Sequence, residues 1–160
     1  MDDIGIADGA LQRNLAWVRA ADSKVPSAFA VDAAMLGVLG LRLPSLDQLA
    51  ALPAMLWGLA AVCLIASLIA LGLVVLPRLG GPKDSVVFFG TATALKEGAY
   101  VERLLDTNRT HLAQDMARQA YRNAEIAQMK YNRLLVAFWL MFIAVPFWVA
   151  ALIATRNLPG

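Results

Sequence analysis

Long apolar stretches without charge alternate with charged, amphipathic stretches along this chain. The apolar stretches lie at about 25–42, 53–76 and 134–156. The last of them includes Leu134–Thr155, whose 22 residues would extend about 33 Å as a helix and so cross a hydrocarbon core of about 30 Å. The pattern predicts a mainly α-helical, integral membrane protein with three transmembrane helices.

A single long helix is predicted from about Arg109 to Thr155, joining a charged first half to the third span. Neither glycine nor proline interrupts the sequence between Arg109 and Val145. Arg133 and Arg156 flank the apolar half, where their side chains can reach the two headgroup layers. We therefore expect one continuous helix to pass from the cytoplasmic layer into the bilayer.

The first part of the chain, 1–24, is predicted to contain an amphipathic helix. Within residues 10–24, Leu11, Leu15 and Val18 recur at helical spacing, and basic side chains are available to headgroups. An ordinary surface helix is the alternative reading. We favour a cytoplasmic or interfacial N-terminal helix because a membrane span follows it directly.

Residues 25–76 are predicted to form a membrane hairpin. Pro26 and Pro53 each suit the first turn of a helix, where the missing N–H costs nothing, and Pro77 ends the second span. A short turn at 42–47 joins the two spans, so they are expected to lie side by side.

The first span carries a stripe of small residues and one acidic residue. The small residues, on which another membrane helix can pack closely, are Ala30, Ala33, Gly37 and Gly40. Asp32 is ionisable, and a charge in the middle of the membrane costs several kcal/mol. Two readings stay open for Asp32: a functional group inside the bilayer, or a carboxylate close to the headgroups.

The segment 77–133 is predicted to form a small cytoplasmic layer. Residues 85–89, with the sequence SVVFF, have the composition of a short β-strand that would pair across subunits or lie extended. A short helix is expected at about 93–105. Asn108 or Thr110 can then cap the long helix.

Lysine and arginine are distributed so that they predict the orientation in the membrane. The 77–133 segment holds nine of them and the chain before the first span holds three, whereas Arg42 and Arg156 fall on the other side. Basic residues favour the cytoplasmic side of a membrane. The N-terminus and the 77–133 segment are therefore expected in the cytoplasm.

Composition agrees with a membrane protein and argues against an enzyme. The chain is 59% hydrophobic and 16% charged, whereas a soluble domain usually carries about 25% charged residues. The net charge of +2 provides no basic field for nucleic acid. The single cysteine, Cys63, and the single histidine, His111, form no metal-binding motif, and no phosphate loop or nucleophile motif occurs. We expect no catalytic residues, no metal and no cofactor.

A heptad pattern of small residues runs along the first half of the long helix. Its positions, spaced alternately four and three residues apart, are Ala113, Ala117, Ala120, Ala124, Ala127, Tyr131 and Leu134. Alanine lets helix axes approach closely but buries little apolar area, so the contact is weak and easily shifted. We expect this seam to join subunits of a homo-oligomer. Packing against the 93–105 helix of the same chain is the alternative.

Arg118 and Arg122 lie one helical turn apart, where their like charges repel each other. An anion between them would relieve the repulsion, and Tyr121 lies nearby to stack on a flat ring. In the alternative reading the arginines form a solvated face, because Asp115 and Glu125 each lie three residues from one of them.

Two stretches of the chain resemble the Pycsar transmembrane effectors of bacterial anti-phage defence. Residues 21–24, with the sequence ADSK, run into 30–33, and together they are similar to the family's Asp-Thr/Ser-Lys opening of the first membrane segment. The second stretch resembles the family's hydrophobic-Phe-Phe-Gly motif, the tyrosine of its short helix, and the Gln-hydrophobic-Tyr and Lys-Tyr pairs of its long helix. Its matching residues are Val86–Gly90, Tyr100, Gln119–Tyr121 and Lys130–Tyr131. The same order of segments covers residues 15–155.

The resemblance implies a membrane protein that binds a cyclic pyrimidine mononucleotide, cyclic UMP or cyclic CMP. A companion nucleotide cyclase would make this ligand during infection. The effector would then damage the bacterial inner membrane and stop growth of the infected cell. Two other readings are a CBASS-type membrane effector for a different cyclic nucleotide and a structural subunit of a membrane complex with no small-molecule ligand.

For such a ligand, arginine suits the phosphate and tyrosine suits the base. The candidate binding residues are Arg118, Arg122, Arg103 and Lys96 for the phosphate, and Tyr121 and Tyr100 for the base. We expect the site to be shared between subunits, so that binding draws neighbouring long helices together.

Overall fold

The computed structural model describes residues 2–42, 50–77, 80–82 and 84–156. Its helices, in chain order, are α1 (Asp3–Asp22), α2 (Val25–Leu41), α3 (Ala51–Val75), α4 (Phe89–Ala92), α5 (Glu97–Asp106) and α6 (Arg109–Ala154). They form two compact units. We call Met1–Ala21 with Pro77–Lys130 the polar unit, and Asp22–Leu76 with Tyr131–Gly160 the membrane unit.

Among the described residues, three helical stretches are long and apolar enough to cross a membrane, as the sequence pattern predicts. They cover Asp3–Leu41, Ala51–Val75 and Arg109–Ala154. The first stretch comprises α1 and α2, which are separated by a turn at residues 23–24. The N-terminal helix begins at Asp3 rather than at residue 10. Beyond Arg42, the turn predicted at 42–47 lies outside the described residues.

The long helix α6 is continuous from Arg109 to Ala154 and runs through Pro146. The backbone N–H of His111 donates to Asn108 Oδ1 at 2.9 Å, so Asn108 caps the helix as expected. Residues of α6 up to Lys130 belong to the polar unit, and those after it belong to the membrane unit.

Small residues and two tryptophans pack the membrane unit together. Its buried cluster consists of Leu39, Ala60, Ala61 and Ala151. Trp57 Nε1–H donates to the carbonyl of Leu39 at 3.2 Å. Trp148 Nε1–H donates to the carbonyl of Met35 at 2.9 Å. Both indoles therefore keep a hydrogen bond while their rings fill the space between helices.

The predicted stripe of small residues faces away from this packing. Its four members, Ala30, Ala33, Gly37 and Gly40, are all exposed, whereas the opposite side of α2 is buried. A Cβ atom added at Gly37 or Gly40 would meet no heavy atom within 4 Å. Close packing of another membrane helix on the stripe stays a prediction.

The alanine seam of α6 is partly covered by α1 of the same chain. Ala113, Ala120 and Ala127 are buried, Ala124 is half-buried and Ala117 is exposed. Asn14 of α1 donates from Nδ2 to the carbonyl of Ala120 at 2.8 Å. The intrachain partner of the seam is thus α1. The sequence favours contact between subunits, and the 93–105 helix is only the alternative. Self-association of subunits along α6 stays a prediction.

The short strand predicted at 85–89 is wrong, because the described residues contain no strand and Phe89 begins the helical turn α4. Side chains satisfy the backbone here in place of a neighbouring strand. The N–H groups of Val86 and Val87 donate to Asp115 Oδ2 at 2.8 and 3.2 Å. The N–H of Phe88 donates to Ser85 Oγ at 2.9 Å. The short helix predicted at about 93–105 is observed as α5, which starts at Glu97.

Two glycines allow the ring of Phe88 to lie against the backbone. A Cβ atom at Gly81 would come within 2.6 Å of this ring, and one at Gly90 would come within 2.5 Å of it. Gly90 ends the hydrophobic-Phe-Phe-Gly motif and is the first residue after Phe89 in α4. Local packing therefore explains the glycine of the motif, since a side chain at Gly90 would displace the Phe88 ring.

We predict that Gly90→Ala lowers the free energy of unfolding of the full chain by about 1–3 kcal/mol. The added methyl group overfills the contact with Phe88, whose ring also lies against Gly81 and has little room to move. Chemical unfolding in detergent, followed by circular dichroism, measures the change.

Gly98→Ala is the matched control for this substitution. An added Cβ atom at Gly98, in the first turn of α5, meets nothing within 4 Å. Because alanine favours a helix over glycine, we expect a gain of about 0.5 kcal/mol. Equal effects at Gly90 and Gly98 would contradict the packing role of Gly90.

Candidate functional site

The loop that precedes α4 is held on α6 by the carboxylate of Asp115. Besides the two backbone N–H groups of Val86 and Val87, its Oδ2 atom accepts a hydrogen bond from Ser85 Oγ at 2.9 Å. Ser85 is buried, and Gln119 Nε2 donates to its hydroxyl oxygen at 3.3 Å. Asp115 and Gln119 lie one turn apart on α6, so the same face of the helix fixes the whole loop.

Helix α5 braces the same loop from its own side. Tyr100 is half-buried, and its hydroxyl donates to the carbonyl of Val86 at 3.1 Å. Arg103 Nη2 donates to the carbonyl of Asp84 at 2.9 Å and lies 3.6 Å from the Asp84 carboxylate. Asp84 has a positive φ of 65°, a conformation that aspartate tolerates better than most residues. Tyr100 and Arg103 therefore shape the loop in the described structure.

An open groove of about 630 Å³ brings three of the sequence-predicted binding residues together. Arg118, Tyr121 and Arg122 line it from α6 together with Ala117 and Glu125, and residues 80–82 line it from the loop. The Tyr121 side chain is 68% exposed, so one of its ring faces is available to a flat ligand. We call this cavity the arginine groove.

The two arginines of the groove differ in their contacts. Arg122 forms an ion pair with Glu125 Oε2 at 3.0 Å and donates from Nε to the carbonyl of Gly80 at 3.2 Å. Arg118 is exposed, and among the described residues it makes neither a hydrogen bond nor an ion pair. Pairing with acidic neighbours, the alternative that the sequence suggested, thus applies to Arg122 and not to Arg118. Within the described part of the chain, the groove therefore offers a cation without a partner, Arg118, beside one that is already neutralised, Arg122.

A second cavity, of about 300 Å³, is also lined by Arg118. Arg103 and His111 also line it, together with the carboxylates of Asp84 and Asp115. The acidic groups oppose the entry of an anion. Of the remaining candidates, Tyr100 and Lys96 line neither this cavity nor the arginine groove.

Sequence reasoning missed the residues that build the site rather than line it. Asp115 was considered only as an ion-pair partner of Arg118, and Ser85 only as part of a strand. Their contact joins residues that are 30 positions apart in the chain, so no local pattern reveals it. One feature of the sequence could have indicated these residues. A single predicted strand has no neighbouring strand, so its N–H groups must donate to acceptors elsewhere in the chain.

Comparison with known proteins gives one family. The family model described as the Pycsar effector protein domain matches residues 6–155. Neither a curated protein nor a solved structure matches the chain. The matched range includes α1 from Ile6 onwards and all of α2 to α6, together with the arginine groove.

We predict that Asp115→Asn lowers the free energy of unfolding by about 1–2 kcal/mol. The substitution replaces a charged acceptor of three hydrogen bonds with a neutral amide of the same size. Chemical unfolding in detergent measures the change, and amide hydrogen exchange at Val86 and Val87 localises it.

Asp84→Asn is the matched control, because it removes the same charge at the same loop. The Asp84 side chain is 85% exposed and lies 3.6 Å from Arg103, and exposed pairs of this kind contribute little. We expect a change within about 0.5 kcal/mol. Equal losses in the two variants would show that Asp115 acts only through its charge and does not hold the loop.

Proposed function

Because the chain belongs to the Pycsar effector family, we propose that it is an anti-phage effector that binds a cyclic pyrimidine mononucleotide and then disrupts the inner membrane. The ligand would be cyclic UMP or cyclic CMP, supplied by a companion cyclase. The observation that carries the proposal is the exposed guanidinium of Arg118, unpaired among the described residues, beside the exposed ring of Tyr121 in the arginine groove. Neither residue is needed for the internal hydrogen bonding of the described loop.

The chemistry of the groove matches the two recognisable parts of such a ligand. A cyclic mononucleotide has one phosphate charge and one flat base. The guanidinium group presents paired donors that fit phosphate oxygens, and tyrosine stacks on a base at little entropic cost. Arg118 would hold the phosphate, and Tyr121 would hold the base.

Arg122 has a secondary role in this proposal. Its ion pair with Glu125 competes with an incoming phosphate, and its bond to Gly80 holds it against the loop. Binding would shift Arg122 away from Glu125 and so change the contacts of residues 80–82. This ligand-dependent change would be the first of the conformational changes that transmit binding to the membrane unit.

Helix α6 provides the connection to the membrane unit, since it contributes residues to both units. A ligand shifts a conformational equilibrium only if it binds one arrangement better than the other. We propose that the ligand-bound arrangement associates further into homo-oligomers along α6, where Ala117 is exposed. The distribution of lysine and arginine supports a cytoplasmic location for the N-terminus and for residues 77–133.

We predict that Arg118→Ala weakens binding of the cyclic pyrimidine mononucleotide about 30-fold. Loss of a charge-assisted contact of about 2 kcal/mol gives this factor. Calorimetric titration of the full chain in detergent with cyclic UMP and with cyclic CMP measures it.

Two substitutions in the polar unit serve as controls for charge. Lys96→Ala removes an exposed cation that does not line the groove and should change affinity by about twofold or less. Glu125→Gln releases Arg122 from its ion pair and should tighten binding by about twofold to fivefold. If Arg118→Ala binds like the parent, the arginine groove is not the site. The next candidates are then Phe88 and Phe89, together with Arg78 and Lys83, which lie outside the described residues.

We also predict that the ligand releases dye from vesicles that contain the full chain. Vesicles of bacterial polar lipid, loaded with a self-quenching dye, should leak when the cyclic nucleotide is added and not when the linear nucleotide is added. The Arg118→Ala variant should need about 30-fold more ligand, because leakage follows occupancy of the site. Tight binding without leakage would contradict membrane disruption and favour a scaffolding role. Leakage with a different cyclic nucleotide alone would favour a CBASS-type effector.

A further inference from the structure

A polar cluster lies in the interior of the membrane unit. Asp32 of α2 is completely buried, and Ser67 of α3 is 1% exposed. Ser67 Oγ lies within hydrogen-bonding distance of Asp32 Oδ2 and 3.0 Å from the carbonyl oxygen of Ala137 in α6. One hydroxyl group thus contacts all three membrane-spanning helices.

No cation in the described structure neutralises Asp32. Its carboxyl group takes part in none of the ion pairs of the described residues. Lys24, two residues before Pro26, has its Nζ atom over the ring of Tyr131 at 5.0 Å. Arg133 donates from Nη1 to the carbonyl of Leu73. Lys24 and Arg133 therefore have contacts other than Asp32.

The ionisable groups of the three spans can be named from the sequence. Between Val25 and Leu41, Asp32 is the sole ionisable residue of α2. Helix α3 contributes Cys63, which is half-buried and lies one turn from Ser67. Between Leu134 and Ala154, α6 contributes none. Among the described residues of the three spans, a carboxylate at Asp32 would therefore be a single buried charge without a counterion.

The number of available protons decides how the three groups bond. A serine hydroxyl has one hydrogen, and a backbone carbonyl can only accept. If Ser67 donates to the carbonyl of Ala137, its oxygen is left to accept a hydrogen bond. A protonated Asp32 supplies that donor. Both contacts of Ser67 are then satisfied, and no charge remains inside the apolar unit.

We propose that Asp32 is a proton-binding site, whose bound proton joins α2, α3 and α6 through the chain of hydrogen bonds Asp32–Ser67–Ala137. The other carboxyl oxygen, Oδ1, is buried and has no hydrogen-bond partner among the described residues. An unpaired carbonyl oxygen of a neutral acid costs less than an unpaired oxygen of a carboxylate. The proton thus accounts for the enclosed position of both oxygens.

Release of the proton from Asp32 would break the chain of hydrogen bonds that joins Asp32, Ser67 and Ala137. A charged Asp32 would keep at most the hydroxyl of Ser67 as a donor. The carbonyl of Ala137 would then keep only its hydrogen bond within α6, and the contact between α3 and α6 through Ser67 would be lost. Water or a cation would have to enter, or the three helices would have to separate. The bound proton therefore stabilises the packing of the spans that is observed, whatever ligand the polar unit binds.

Infrared spectroscopy of the full chain in lipid nanodiscs at neutral pH tests the site. The carbonyl stretch of a protonated carboxylic acid is separate from the carboxylate and amide bands. We expect this band in the parent, its loss in Asp32→Asn, and its retention in Asp3→Asn, which alters an exposed acid of α1. Asparagine has the size of aspartate, and its Nδ2–H can donate to Ser67 in the same way.

Ser67→Ala tests the contact itself. Removing the acceptor should move the carboxylic acid band to higher wavenumber, whereas Ser27→Ala, at an exposed serine of α2, should leave it in place. Absence of the band from the parent overturns the proposal without the need for any variant. A band that survives Asp32→Asn, or that does not move in Ser67→Ala, also overturns it.

Discussion

The carboxylate of Asp115 provides the contact on which the polar unit depends. A loop of apolar residues with no neighbouring strand would leave its N–H groups without acceptors, at a cost comparable to a lost hydrogen bond for each. Asp115 and Ser85 supply these acceptors from α6 and from the loop itself. The loop is thereby fixed to the same helix that presents Arg118 and Tyr121. The shape of the arginine groove therefore follows from a structural contact that does not line it.

Features that depend on local sequence were predicted well. Apolar length determines which helices can span a membrane, and the Asn108 cap depends on a side chain three residues from its partner. The strand at 85–89 was wrong because β-propensity describes a half-buried surface and not a partner. Ser85 and Asp115, which satisfy this loop, are distant in sequence. Their contact exists only after the chain has folded.

The alanine seam and the candidate site show an intermediate degree of predictability. The heptad spacing places the seam on one face of α6, along which Ala113, Ala120 and Ala127 are buried and Ala117 is exposed. The partner was not predictable, since any helix with a suitable face satisfies an alanine seam. In the same way, the sequence does not distinguish Arg118 from Arg122, because each has one acidic neighbour three residues away. The structure distinguishes them because Glu125 and Gly80 both engage Arg122.

Because two indoles donate hydrogen bonds to α2, tryptophan fluorescence depends on how the membrane unit is packed. Trp57 in α3 and Trp148 in α6 each donate to a carbonyl on the last two turns of α2. Indole emission depends on the polarity and hydrogen bonding around the ring. Trp17 and Trp139 are largely exposed in the chain, so their emission depends on the solvent or lipid around them rather than on α2. Intrinsic fluorescence can therefore follow the separation of α2 from its neighbours without any attached probe.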